Sequence, residues 1–557
     1  MPKLVDLRQD RKLIRPNFDG YKLSLDSVPI IRQDLVVPPL RAIPSDDQYS
    51  YLHAELFSLQ NLIISDPWDR VSSYFVNTQH EVIRCSYDVT VGRPKLIQPV
   101  FRIPIVDQCV SGDYNCSIKL VSEKFAILCD GIQQVYILDT GDRSKGTEWK
   151  KISSFTISND LRNFSIFDSR LDMVNGNKVI SCALVRIARD ASSHSLHMHW
   201  ATLKQKEKDP WTFEIHDVIE GKGSLYYCAF EPKAECIIMS SNRPLKFQSA
   251  NSSTDIEAPP KDHNAVPIHS FTWTQTDDDI TVNINSETDE ADFKIKTLKN
   301  RLKVECNGTC LIDKELYALI DESLTTWTTK DKILQITLVK ENSSVVWPYL
   351  IEGGPQETLE NNDTSFPLEN QPIPNLEAPI EDCDFPMGTQ DNEIKIERLD
   401  LQLKNATHQI LLDNSPPLFS TNLRPGFPPA IATRQDVDAC LWLQQYNSNK
   451  TGEWGFRHEG NLHAFGYVQA SKQQKKFMDC APDLSYAVIC ESHRHVFLYK
   501  SNNDSADGLR NRCGSQVSLG KQHLITLEDA GEVLGIATHS GVITLLTDKC
   551  VLFLQIN

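Results

Sequence analysis

The chain has 557 residues, enough for two or three domains or for one large domain carrying an insert. It holds 74 acidic against 57 basic residues, a net charge of −17, a balance that phosphate backbones repel and that argues against nucleic acid as a direct partner. The opening Met1-Pro-Lys-Leu-Val-Asp-Leu-Arg is charged and lacks the apolar core of a secretory signal, and no run of about 20 apolar residues offers a membrane span, so no membrane insertion is expected.

In chain order, the first half reads as short strands rich in Val, Ile, Leu, Tyr and Phe, bounded by Gly, Asp, Asn or Ser. Phe125-Ala-Ile-Leu-Cys129, the turn cue Asp130-Gly131 and Val135-Tyr-Ile-Leu138 predict a hairpin. Val179 to Ile187 and Leu196 to Ala201 predict a second pair, and Leu225 to Phe230 with Cys236 to Met239 a third. The texture returns at the end of the chain, in Tyr486 to Cys490, Val496 to Tyr499, Val533 to Thr538, Val542 to Leu546 and Val551 to Ile556. Several hundred residues of such hairpins exceed one sandwich, whereas a propeller absorbs them at roughly 40–50 residues per blade. The last strand is then expected to pair with an N-terminal strand, because closure removes exposed edges. The cysteines, 15 in all, are scattered, and Cys129 and Cys182 sit inside apolar runs, where thiols act as small core hydrophobes.

Two segments interrupt the strands. Residues 246–263 are polar and lack periodicity, and residues 352–395 are rich in Asp, Glu, Asn and Pro, with no Lys or Arg between Lys340 and Lys395. Such stretches bury too little apolar surface to offset their ordering entropy, so both read as linkers, the second acidic and disordered. The expected layout is 1–245 propeller, 246–263 linker, 264–351 a small β unit, 352–395 linker, and 396–557 propeller. The fold class that follows is all-β, a seven-bladed WD-like β-propeller split by an inserted β-sandwich. Two separate β domains flanking the unit would produce the same strand pattern.

The central unit packs about seven short strands into fewer than 90 residues, the count of a compact antiparallel sandwich. Phe271-Thr-Trp273-Thr-Gln275-Thr276, Leu316-Tyr317, Glu322-Ser323, Thr326-Trp327-Thr328 and the close from Lys340 to Trp347 resemble the CS domain of the NudC family, shared with p23 and Sgt1. Arg434-Gln-Asp436-Val-Asp438-Ala-Cys-Leu-Trp442, Phe465 to Lys472 and Cys480 to Tyr486 resemble NudC-domain proteins as well. One departure is that Pro348 follows Trp347 where NudC itself has a second Trp.

The resemblance implies a non-enzymatic adaptor or co-chaperone, cytoplasmic and also nuclear, that links an Hsp90-type chaperone to client proteins, notably WD-repeat or β-propeller proteins. The alternative is a constitutive scaffold subunit of a trafficking or cytoskeletal complex, with the CS domain as regulatory module. Partner-binding candidates are Trp273, Gln275, Trp327 and Trp347. Trp273 and Trp327 alternate with polar residues in strands, where a core role is the plain reading. Trp347 follows the last strand and is expected to be the more exposed.

Catalytic signals are weak. His194, His197 and His199 lack further ligands at zinc spacing, and Cys306 and Cys310 form a single pair. Glu220-Gly-Lys-Gly-Ser224 lacks the phosphate-loop frame, and no Gly-x-Ser-x-Gly elbow occurs. No catalytic residue, cofactor or metal is therefore expected. An enzyme on this fold would need acidic or histidine side chains converging in the propeller channel.

Overall fold

A computed structural model describes the chain except residues 1, 105–109, 191–192, 207–208, 250–270, 277, 286–292, 307–308, 331–332, 342–346, 348–349, 352–392, 413–414, 446–453, 502–509, 511–516 and 557. Two compact units emerge: Met1–Thr254 with Pro379–Asn557, and Asp255–Ala378. Residues 352–392 of the acidic linker and most of the first linker lie outside the described residues, and Lys395, expected to end the second linker, instead opens a strand.

Among the described residues the larger unit contains seven β-sheets, here called blades 1 to 7 in chain order. Their innermost strands are Ile64–Ser65, Ser117–Leu120, Ser165–Val174, Leu225–Phe230, Phe419–Thr421, Lys475–Cys480 and Val533–His539. Side chains alternate across each strand, so a blade with two apolar faces must bury both. Each seam between blades is accordingly filled. Separate apolar clusters join blades 1 and 2, 2 and 3, 3 and 4, 4 and 5, 5 and 6, 6 and 7, and 7 and 1. Seven seams for seven blades close a ring, so the unit is a seven-bladed β-propeller.

Closure uses the N-terminus. Ile30–Asp34 pairs antiparallel with Cys550–Gln555, the final strand, and completes blade 7. Before that, the N-terminal segment runs as a belt along three blades. Lys3–Leu4 adds in parallel to Asn405–Leu411 of blade 4, Gln9 and Asp10 bond to Cys440 and His458 of blade 5, and Phe18–Leu23 adds in parallel to Ser518–Thr526 of blade 6.

The predicted hairpin at Asp130-Gly131 forms as read. The Asp130 carboxylate accepts the backbone N–H groups of Ile132, Gln133 and Gln134, and Gly131 takes a φ of +84° where a Cβ would strike the Tyr114 carbonyl. Lys246 and Phe247, placed at the head of the first linker by composition, instead form an edge strand of blade 3 against Ile219 and Glu220. Phe247 is buried there, and its burial outweighs the polar sequence around it.

Blade 4 is the divided one. Cys236–Ser241 pairs directly with Lys395–Asp400, so the smaller unit is spliced between the second and third strands of a single blade. Glu231 fastens this blade. Its buried carboxylate accepts two hydrogen bonds from Arg398, at 2.7 and 2.8 Å, and one from Gln444 of blade 5. A second buried pair, Asp66 with Arg143 at 2.6 Å, ties blade 1 to the loop that follows the third-ranked strand Gln134–Asp139 of blade 2.

The smaller unit is a sandwich of a four-stranded and a three-stranded sheet. The first is ordered Phe271–Gln275, Asp279–Asn285, Ile333–Lys340, Ile320–Lys330, and the second Phe293–Leu298, Arg301–Cys306, Thr309–Glu315. One apolar cluster fills it.

Candidate partner-binding surfaces and the propeller channel

The sandwich signature proves largely internal. Trp273, Val282, Ile336 and Trp327 form one cross-strand row. The first three are fully buried, whereas Trp327 is 50% exposed. The row outruns its cover, because the facing sheet has one strand fewer and Ile320–Lys330 is an edge strand. Trp327 thus departs from the core role expected of it. Leu324 on the same strand, and Tyr317 and Leu319 before it, are also exposed. An edge strand with unpaired backbone groups and a protruding Trp is a ready template for a partner.

Trp347 departs in the opposite sense, since it is buried at 1% exposure rather than solvent-facing. Gln275 explains it. Its amide nitrogen donates to the Trp347 carbonyl and its amide oxygen accepts the Trp347 N–H, each at 2.9 Å. The Lys340 ammonium donates to the same amide oxygen and to the Thr276 carbonyl. Gln275, Lys340 and Trp347 therefore form a clasp that pins the closing segment onto the first strand. Of the four candidates, Trp273 and Trp347 offer no side-chain surface, Gln275 is engaged internally, and Trp327 alone is free to meet another molecule. Pro348 lies outside the described residues.

The second surface surrounds the ring's axis. The innermost strands of all seven blades line a central cavity of about 420 Å³. Its wall carries Lys119 on blade 2, Asp168 on blade 3 and Asp479 on blade 6. Two acidic side chains therefore line the channel, one on blade 3 and one on blade 6. Each carboxylate spans a seam: Asp168 accepts the Phe230 N–H of blade 4 at 2.8 Å, and Asp479 accepts the Thr538 hydroxyl of blade 7 at 2.6 Å. Asn61 plays the same part at the seam of blades 7 and 1, bonding both backbone groups of Ile536.

Burial dominates the electrostatics here. It holds the Asp168 carboxyl above the usual range, against the pull of Lys119. It pushes Asp479 up to about 6, against the hydroxyls of Thr538 and Thr421. It also draws the Lys119 ammonium below the ordinary lysine value. No motif announced these three residues. The signal available was a lone charge inside an apolar strand, as in Ile118-Lys119-Leu120 and Met478-Asp479-Cys480.

The histidines singled out by sequence do not converge. His194 meets His53 of the helix Tyr51–Ser58 (α1) edge to face, with ring centroids 5.5 Å apart, His197 faces Glu220 at 3.6 Å, and His199 lies edge-on to Phe164. Among the described residues no group of three His, Cys, Asp or Glu side chains is placed to hold a metal ion.

The family model of the CS domain matches residues 269–340, the sandwich just described. NudC domain-containing protein 1 of Mus musculus is 29% identical over 587 aligned residues, covering 99% of this chain and 98% of that protein. The chain resembles NudC domain-containing protein 1 from end to end. The protein of that name from Xenopus tropicalis is 27% identical, with the same coverage. Among solved structures, the chain is similar to the nuclear movement protein from E. cuniculi, at 23% identity over 15% of this chain and 98% of that one, with a TM-score of 0.14. It is also similar to the WD40 domain of SCAP from fission yeast, at 8% identity over 97% and 98% of the two chains, with a TM-score of 0.33. The ring rests on sheet order and seam packing, independently of those scores.

Proposed function

We propose that this chain is a non-enzymatic adaptor of the co-chaperone type, cytoplasmic and also nuclear, that links an Hsp90-type chaperone to client proteins, notably WD-repeat or β-propeller proteins. The observation that carries the reading is the splice in blade 4. A CS sandwich sits in sequence between two directly paired strands of a closed propeller, so one chain holds two compact units. The edge strand Ile320–Lys330, with Leu324 and Trp327 exposed, is the part of the CS module assigned to partner contact. The propeller supplies a larger surface for the client. The polar groups of the channel serve this reading as seam fasteners, since Asp168 and Asp479 are each engaged by donors from the next blade.

Affinity capture from cells tests the division of labour, using the intact chain and a chain lacking residues 264–351. The chaperone is expected to disappear from the shortened chain's partners while propeller-bound clients remain. Identical partner sets for the two chains would refute the reading.

A further inference from the structure

We propose that the propeller channel holds a small oxyanion, a phosphate or carboxylate group, against the ammonium of Lys119. The cavity of about 420 Å³ falls in the range of small-molecule sites, which run from roughly 300 to 1,000 Å³. Two further elements border the cavity. Leu56 and Leu59, in and just after α1, line one side of it, and on another the loop between Phe419–Thr421 and Ala430–Gln435 of blade 5 reaches Arg170 of blade 3, whose guanidinium donates to the Gly426 carbonyl at 3.0 Å. A small solute fits that enclosure better than a folded partner does.

Lys119 is the group that calls for a ligand. Among the described residues no acceptor stands within hydrogen-bond or ion-pair reach of its ammonium; Asp168 acts on it only at longer range and spends an oxygen on the Phe230 N–H. An ammonium that lines the cavity with no acceptor beside it is a natural seat for a counter-anion. The hydroxyls of Ser65, Ser117 and Ser420 on three blades add donors around the same space. Asp168 and Asp479 oppose an anion, so affinity is set by Lys119 against two carboxylates.

Isothermal titration calorimetry on the full chain, at fixed ionic strength, reads this directly with inorganic phosphate in one arm and citrate in the other. Binding is expected in at least one arm, and which arm binds separates phosphate from carboxylate recognition. Lys119→Gln is expected to weaken it at least tenfold, Lys119→Arg to stay within a few-fold, and Asp168→Asn to tighten it by removing a repulsive charge. Circular dichroism confirms that each variant keeps its sheets, and Lys119→Arg keeps the test decisive if Lys119→Gln does not fold. If water alone satisfies Lys119, neither anion binds, or binding is the same in Lys119→Gln, and the proposal fails.

Discussion

The CS sandwich and the propeller ring are both antiparallel β structures, but they place polar and aromatic residues in opposite ways. In the sandwich the aromatic signature turns inward. Trp273 fills the core, Trp347 is clasped by Gln275, and of the three tryptophans only the overhanging Trp327 reaches solvent. In the ring the apolar residues occupy the seams, and charged groups gather at the axis, where Lys119, Asp168 and Asp479 line the cavity. The contrast shows that residues that make a family recognisable need not be those that meet a partner. Packing constraints leave short motifs, whereas a site assembled from seven distant strands leaves none.

Substitutions sharpen the contrast. The largest effect is expected in the ring, at Arg398→Ala, which strands the buried Glu231 carboxylate and should cost about 3–5 kcal/mol by denaturant unfolding. Trp347→Ala should cost the sandwich a similar 3–5 kcal/mol or slightly less, and should leave the ring's own transition in place. A loss of stability below about 1 kcal/mol would show that burial of the indole is not what holds the closing segment.

The next effect is pH-dependent. The Asp479 carboxyl keeps its proton to about pH 6 in the folded chain and gives it up near 3.8 when unfolded. The folded chain thus binds more protons between those values, and this group's contribution to stability falls as pH rises through that window. Asp479→Asn cannot titrate, so its stability relative to the natural chain should rise from about pH 4 to about pH 6, by up to about 3 kcal/mol. Paired thermal melts across that range check the sign, and a pH-independent difference would contradict it. The smallest stability effect is expected at Trp327→Ala, within about 0.5 kcal/mol for so exposed a side chain. The same substitution should remove partners captured through the CS unit.

Much of the fold is legible in the sequence because its causes are local. Alternation, the Asp130-Gly131 turn and the polar interruptions locate strands, a hairpin and the spliced unit. Closure by an N-terminal strand follows from the need to cover an edge, and Ile30–Asp34 supplies it. The belt along blades 4 to 6 was not legible, since Lys3–Leu4 and Phe18–Leu23 are short and their partners lie some 400 or more residues away in sequence. Exposure of individual tryptophans was not legible either. Trp327 looks like Trp273 in its strand, and only the unequal width of the two sheets separates them. The buried state of Trp347 depends on Gln275, 72 residues earlier.

Residue-resolved crosslinking mass spectrometry of the full chain in cells tests the central claim most directly. Chaperone crosslinks are expected within residues 264–351, near the edge strand that carries Trp327, with client crosslinks on the propeller. Chaperone crosslinks confined to the propeller, or a CS unit without any, would contradict the account.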